Sequence, residues 1–292
     1  MPDFVSRTPI EKGWSNDKKF CAVTAEGERY LIRISPAEKA ERSRRAFEMM
    51  EQVAALGVPM SRPVDFSILS TGEAQTICTW VAGSDAEQIL PTLPTAEQYA
   101  YGIAAGQYLK IIHSIPVPAE QEEWEQRFNR KLDRKIKLYG ECPIKYPGGE
   151  ALLAFIAENR HLLAGRPQCY QHGDYHVGNL MLGVDQQLYV IDFDRDDFGD
   201  PWEEFNRISW CAQKAPAFAA GRVDGYFDGA VPEKFWRLLA LYIASNTLSS
   251  LPWAIPFGQG EIDTMLKQGR DVLAWYDNMR DPVPTWYTKA KK

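Results

Sequence analysis

Short alternating runs of apolar and polar residues fill roughly the first eighty positions. Residues 19–35, KFCAVTAEGERYLIRIS, read as a hairpin: an apolar strand, a Glu26-Gly27 turn, then a second strand over 30–34. The pattern next predicts a helix over 38–56, stopped by Gly57 and Pro59. Strand-like runs follow over 64–69 and 74–81. From Thr95 onward the period becomes helical. Thr95-Ala96-Glu97-Gln98 reads as a capping box opening a helix that runs to about 113, ahead of Pro116. Gly102, Ala105 and Gly106 fall near one face of it and permit close packing. A helix over 119–139 is acidic at its start and basic at its end, which suits the helix dipole and marks a solvated surface. Further helices are predicted at 149–163, 202–214, 232–251 and 261–279. A strand-rich lobe (1–82) therefore precedes a helical lobe (95–292). The linker is 83–94, where Gly83, Pro91 and Pro94 cluster. Clefts between lobes are preferred ligand sites.

Composition narrows the class. The 292 residues are 45% hydrophobic and 25% charged, as in soluble enzymes, and suffice for a sizeable core. No long uninterrupted apolar run suggests a membrane span, and the N-terminus lacks a signal-like segment. The net charge of −6, with no basic stripe, argues against nucleic acid as a partner. Five cysteines, none in a C-x-x-C, read as reduced thiols and point to a cytoplasmic protein.

The chemistry concentrates in Gln171-His172-Gly173-Asp174-Tyr175-His176-Val177-Gly178-Asn179, followed by apolar runs over 180–182 and 188–191 and then Asp192. Folded as a hairpin, these runs set Asn179 beside Asp192. Phosphoryl transfer needs such a set: a carboxylate to orient a hydroxyl and accept its proton, and hard oxygen donors to hold magnesium on a triphosphate. Asp174 fits the first role, and Asn179 and Asp192 the second. His172 fits a bracing role in the loop. His176 suits either bracing or contact with substrate.

HGDYHVGN followed by VIDFDRDDFGDP resembles the signature of the aminoglycoside phosphotransferase and choline kinase-like superfamily. The resemblance implies an α+β, protein-kinase-like two-lobed fold, with a small antiparallel-sheet N-lobe, a mainly helical C-lobe and the nucleotide between them. It implies Mg2+ and ATP or GTP, and a small-molecule hydroxyl as acceptor. Gly13-Trp14-Ser15-Asn16 resembles the phosphate-covering turn, which assigns Ser15 to the nucleotide. Arg33 stands where the family has its phosphate-pairing lysine, with Glu48 as the helix carboxylate paired to it. Trp80 and Val81 resemble the hinge that reads the base through backbone groups. Arginine differs from lysine in reach and geometry, and Glu204 or Glu203 stands where the family has an aspartate.

The acidic segment 194–204 and the apparent loop 251–258 are the expected acceptor walls, with Asp197, Glu204, Trp253, Phe257 and His176 as contacts. The clustered carboxylates suit a cationic acceptor, and an aminoglycoside is the first choice. A macrolide or choline-like alcohol is an alternative acceptor. Two other classes stay open: a metal-dependent hydrolase, suggested by the H-x-D-x-H of His172, Asp174 and His176, and a catalytically silent nucleotide-binding regulator, suggested by Arg33.

Overall fold

A computed structural model of the chain describes residues 2–11, 16–195 and 197–290. It begins with β1 (Phe4–Pro9), β2 (Lys18–Thr24), β3 (Arg29–Ser35), α1 (Ala40–Ala55), β4 (Pro63–Ile68), β5 (Ala74–Thr79) and β6 (Gly83–Asp85). Next come α2 (Ala86–Ile89), α3 (Thr95–Ile112), α4 (Trp124–Glu141), α5 (Gly149–Asn159) and β7 (Cys169–Gln171). Then follow β8 (Leu180–Gly183), β9 (Leu188–Val190), β10 (Asp197–Gly199), α6 (Ile208–Lys214) and α7 (Pro216–Tyr226). The chain closes with α8 (Glu233–Ala254), α9 (Gln259–Trp275) and α10 (Thr285–Ala290). It divides into two compact units: Met1–Ala86 with Gly178–Asp196, and Glu87–Val177 with Asp197–Lys292. This is the protein-kinase-like α+β fold, an antiparallel sheet followed by a mostly helical remainder.

In the first unit, an antiparallel sheet runs β1-β2-β3-β5-β4. The β2–β3 turn closes through the Gly27 amide donating to the Thr24 carbonyl (3.0 Å), with Gly27 at φ 85°, a conformation glycine adopts freely. Ala22, Ile32 and Ile77 are fully buried on one face and pack with Phe4, Phe20, Tyr30 and Ile34. Because successive strand residues point to opposite faces, Lys19, Leu31, Arg33, Thr76 and Cys78 occupy the other. The β8–β9 hairpin lies in this unit, whereas the sequence pattern assigned it to the helical segment. Its strand β8 pairs with β6, inside the expected linker. Val190 is also tied to the Pro59–Ser61 segment, its amide donating to the Pro59 carbonyl (2.9 Å).

In the second unit, α3 packs tightly against α7. Gly102 and Gly106 face Gly221 and Gly225, and a Cβ at any of the four would fall on a carbonyl oxygen of the facing helix. The small-residue face expected on α3 is this seam. Pro94, not Thr95, occupies the α3 cap position, and no side chain caps the helix, so the capping box does not form. α4 starts at Trp124 rather than near 119, because Pro118–Gln121 forms a turn.

The expected loop at 251–258 is largely helical: α8 continues to Ala254 and a 3-10 turn covers Ile255–Phe257. Leu248, Leu251 and Ala254 are fully buried at three-residue spacing, so packing carries the helix through Pro252 despite its missing N–H. The Glu233–Phe257 stretch has the length and apolarity of a membrane span, but 67% of its most apolar window is buried inside the protein. That burial is the pattern of a core helix.

Candidate active site

The β8–β9 hairpin positions the first pair of residues. Leu180 pairs with Val190, and the Ile191 amide donates to the Asn179 carbonyl (3.1 Å), so Asn179 and Asp192 lie at the same end of the hairpin. Asp192 turns out of β9 with φ 66°, a left-handed conformation that aspartate tolerates better than branched residues. Both residues line a cavity of about 370 Å³ within the first unit. Its remaining walls come from the Lys19–Arg33 face of the sheet, from Ala46, Phe47 and Met50 of α1, and from Trp80 and Val81.

Arg33 is the charged centre of this cavity. It meets Asp192 Oδ1 at 2.9 Å, Asp17 at 3.1 Å and Asp194 at 3.5 Å. Burial alone would lower the guanidinium pKa, but Asp192, Asp194 and Asp17 outweigh it and hold it above its ordinary value. The expected Arg33–Glu48 pair does not form among the described residues. The buried stripe of α1 is Ala46, Met50 and Val53; Glu48 lies off that stripe and is exposed. Arg33 therefore finds its carboxylates on the β8–β9 side and at Asp17.

At the segment expected to read the base, the Trp80 amide donates to the Arg29 carbonyl (3.2 Å), and the Ala82 carbonyl accepts from the Val184 amide (3.0 Å). Among the described residues Val81 makes no hydrogen bond through its own backbone, which leaves its polar groups for a ligand. Ser15 lies outside the described residues. Sequence reasoning missed Lys19, which faces Arg33 directly across β2 and β3 and lines the cavity. The alternation of β2 was its only signal.

Asp174 belongs to the second unit. Its loop leaves β7 through Gly173 at φ 82°. The carboxylate meets Arg207 Nε at 2.8 Å and His176 Nε2 at 3.4 Å. His172 is fully buried and its Nδ1 accepts from the Asp174 amide (3.3 Å). Glu204 braces the same loop: its Oε1 accepts from the Gly173 amide (2.8 Å), and its Oε2 lies 3.5 Å from His113. Burial pushes the Glu204 carboxyl up, yet the hydrogen bond from His113 and the charges of His113, His172 and Arg222 hold it below its usual range. The pattern also gave no hint of Arg222. It is fully buried on α7, donates to the Tyr175 carbonyl (2.8 Å) and the Glu204 carbonyl (3.2 Å), and lies over the Tyr175 and Phe205 rings.

The acidic run is answered by the protein itself. Asp200 is fully buried under a two-pronged contact from Arg166 (2.6 and 2.8 Å) and accepts from the Tyr242 hydroxyl (2.6 Å). Glu203 meets Lys131 at 3.3 Å and Asp197 meets Arg127 at 2.9 Å. The expectation that these carboxylates await a polycation loses its premise. Glu204, buried and bonded to the loop backbone, has the surroundings of a brace rather than an acceptor contact. The Trp253 and Phe257 rings pack against each other at a tilt, with centroids 4.7 Å apart, half-exposed at the end of α8 and in the turn after it. His176 lies 6.5 Å from the Trp210 ring. Among the described residues no three His, Cys, Asp or Glu side chains gather as a metal cage, so nothing there supports the hydrolase reading.

Many solved structures share this fold, among them three of small-molecule kinases. Amicoumacin kinase hAmiN in complex with AMP-PNP, Ca2+ and Ami superposes with a TM-score of 0.68 at 10% identity, over 97% of this chain and 91% of that one. A thermostable mutant of aminoglycoside phosphotransferase APH(4)-Ia, in ternary complex with ADP and hygromycin B, gives 0.63 at 14% identity, over 92% and 94%. A choline/ethanolamine kinase family protein from Mesorhizobium loti gives 0.66 at 16% identity, over 96% and 92%. No curated protein matches the chain in sequence. The model of the phosphotransferase enzyme family matches residues 6–236, which takes in the cavity face of the sheet, the Asp174 loop, the hairpin and the acidic run. The chain belongs to the phosphotransferase enzyme family: it is a phosphotransferase with a kinase-like fold.

Proposed function

We propose that this phosphotransferase is a small-molecule kinase that moves the γ-phosphoryl group of ATP or GTP, with magnesium, onto an alcohol hydroxyl. The observation that carries the reading is the hairpin register that sets Asn179 beside Asp192 on the cavity wall. An amide oxygen and a carboxylate are hard donors, and this donor chemistry fits Mg2+. When bound, that ion offsets charge on the phosphates. Apolar walls such as Leu31, Phe47 and Ile191 suit a purine, and the Val81 backbone suits its edge.

Asp174 is the catalytic base in this reading. It orients the acceptor hydroxyl and accepts its proton as the oxygen attacks the γ-phosphorus; the bond to the bridging oxygen breaks and a nucleoside diphosphate leaves. Arg207, with its Nε 2.8 Å away, holds the carboxylate in place. Glu204, His172 and Arg222 fix the loop backbone, so the base is already positioned before substrate arrives.

An aminoglycoside-type antibiotic is the acceptor to test first. The hygromycin B complex of APH(4)-Ia and the amicoumacin kinase complex support this choice. The internally paired run 197–204 does not, so recognition of a polycation would need other groups. The test is a coupled nucleotide-consumption assay with MgATP and MgGTP against a library of hydroxylated compounds, on wild type and Asp174→Ala. Acceptor-dependent turnover that the variant loses is expected. Nucleotide binding without turnover for any acceptor would leave a silent regulator instead. Most activity surviving in Asp174→Ala would remove Asp174 as base.

A further inference from the structure

Two cations face the cavity from adjacent strands, and only one of them is in direct contact with carboxylates. Arg33 is surrounded by Asp17, Asp192 and Asp194 at 2.9–3.5 Å. Lys19 sits directly opposite Arg33 in the β2–β3 register, on the same face of the sheet. Among the described residues the Lys19 side chain makes no hydrogen bond and no ion pair, although the Lys19 carbonyl accepts from the Ile10 amide (2.9 Å). Like charges opposed across an antiparallel pair are destabilising. Here the Lys19 ammonium is also partly withdrawn from water, and burial first, then Arg33, lowers its pKa, with the more distant charges of Asp192, Asp17 and Asp194 offsetting only part of that. An anion in the cavity would relieve both costs.

We propose that Lys19 is the principal protein cation for the nucleotide's phosphates, and that Arg33 chiefly positions Asp192. The ammonium has three donors and no acceptor, and on β2 it reaches the cavity that Asn179 and Asp192 also line. Arg33 Nη2 already serves Asp192 and Asp194, and its Nε faces Asp17. Only Nη1 of the Arg33 guanidinium is then left for a phosphate. The lysine that the sequence lacks on β3 is thus supplied one strand earlier, at the position opposite. This inference rests on the cavity being the nucleotide site.

The experiment measures binding of ADP, ATP and adenosine by calorimetry or competition to wild type, Lys19→Met, Lys19→Arg and Arg33→Met, with thermal melts to check folding. Lys19→Met is expected to weaken ADP and ATP roughly 10- to 100-fold, the range for losing a charge-assisted contact. Adenosine affinity should hold within about twofold, and Lys19→Arg should recover most of the loss. Arg33→Met should lower kcat more than it weakens ADP. If wild type binds no nucleotide, the nucleotide reading falls and this proposal with it. If wild type binds, but Lys19→Met leaves ADP affinity unchanged while Arg33→Met abolishes it, the proposal is overturned and the nucleotide reading stands. Equal loss of adenosine and ADP in Lys19→Met would also overturn it, because the role would then be structural.

Discussion

Asp192 and Asp194 line a cavity in the first unit and share one arginine. A few residues later, Asp200, Glu203 and Glu204 lie buried in the second unit, and each has protein partners of its own. In sequence these carboxylates form one acidic run. In the fold they divide between a face open to a ligand and a set of internal braces. A buried carboxylate must be paired to be tolerated, whereas one on a cavity wall can leave part of its charge to a ligand. Substitutions in the two groups should therefore fail in different ways.

The largest effect should come from the chemistry. Asp174→Ala and Asp192→Ala are each expected to lower kcat by about a thousandfold, within the range for losing a catalytic acid–base or charge-stabilising group. Asp192→Ala should melt within a few degrees of wild type. A large loss of stability in Asp192→Ala would erase the contrast between the two groups.

Next comes Glu204→Ala, which leaves the Gly173 amide and His113 without their carboxylate. It should cost about 3–5 kcal/mol of unfolding free energy by chemical denaturation, the usual penalty for breaking a buried pair. The pH dependence has a definite sign. Because the Glu204 pKa is lowered in the folded state from its ordinary 4.5, its stabilisation is present above that value and is lost as pH falls through the folded pKa. Glu204→Gln should flatten this acid limb of the stability profile. An unchanged limb would show that the brace is not electrostatic.

A smaller effect is expected at Lys135, a cation in the unit whose carboxylates already have partners. Burial, with Lys131 adding to it, lowers its pKa from 10.5 to about 7. The folded state then binds fewer protons than the unfolded chain between those values, so this group makes stability rise with pH across that window. Below about pH 7 the full penalty applies. Lys135→Met should raise stability by roughly 1–2 kcal/mol at pH 6–7, with the gain vanishing toward pH 10.5. No gain at neutral pH would mean that the 3.1 Å contact to the Ser245 hydroxyl offsets the burial.

The smallest change is expected at Asp197→Lys. The Asp197–Arg127 pair is solvent-exposed on the aspartate side, so its loss should shift stability by no more than about 1 kcal/mol and leave nucleotide KM alone. A selective rise in acceptor KM would bring Asp197 back as an acceptor contact.

Some of the fold was legible because its determinants are local. The Glu26-Gly27 turn, the α1 periodicity and the small-residue face of α3 depend on neighbours within a turn or a strand, and the structure bears them out. The 251–258 segment misled because a proline and exposed aromatics look like a loop. The buried Leu251 and Ala254 that keep it helical act through tertiary packing. α7 went unpredicted because its burial extends around the whole helix and leaves no polar stripe to read.

By itself, then, the sequence determined the order of Asp174, Asn179 and Asp192 and the hairpin that sets the last two side by side, since strand register is a local matter of alternation and turn length. Only the tertiary structure decided which cation meets which carboxylate. Arg33 and Asp192 are 159 residues apart, and Glu204 reaches back 31 residues to the Gly173 amide. Pairings across such distances follow from how elements pack, and at a few ångströms Coulomb energy depends on position far more than on residue type. For that reason Glu48 lost its expected partner, the acidic run split in two, and Lys19 came to face the cavity.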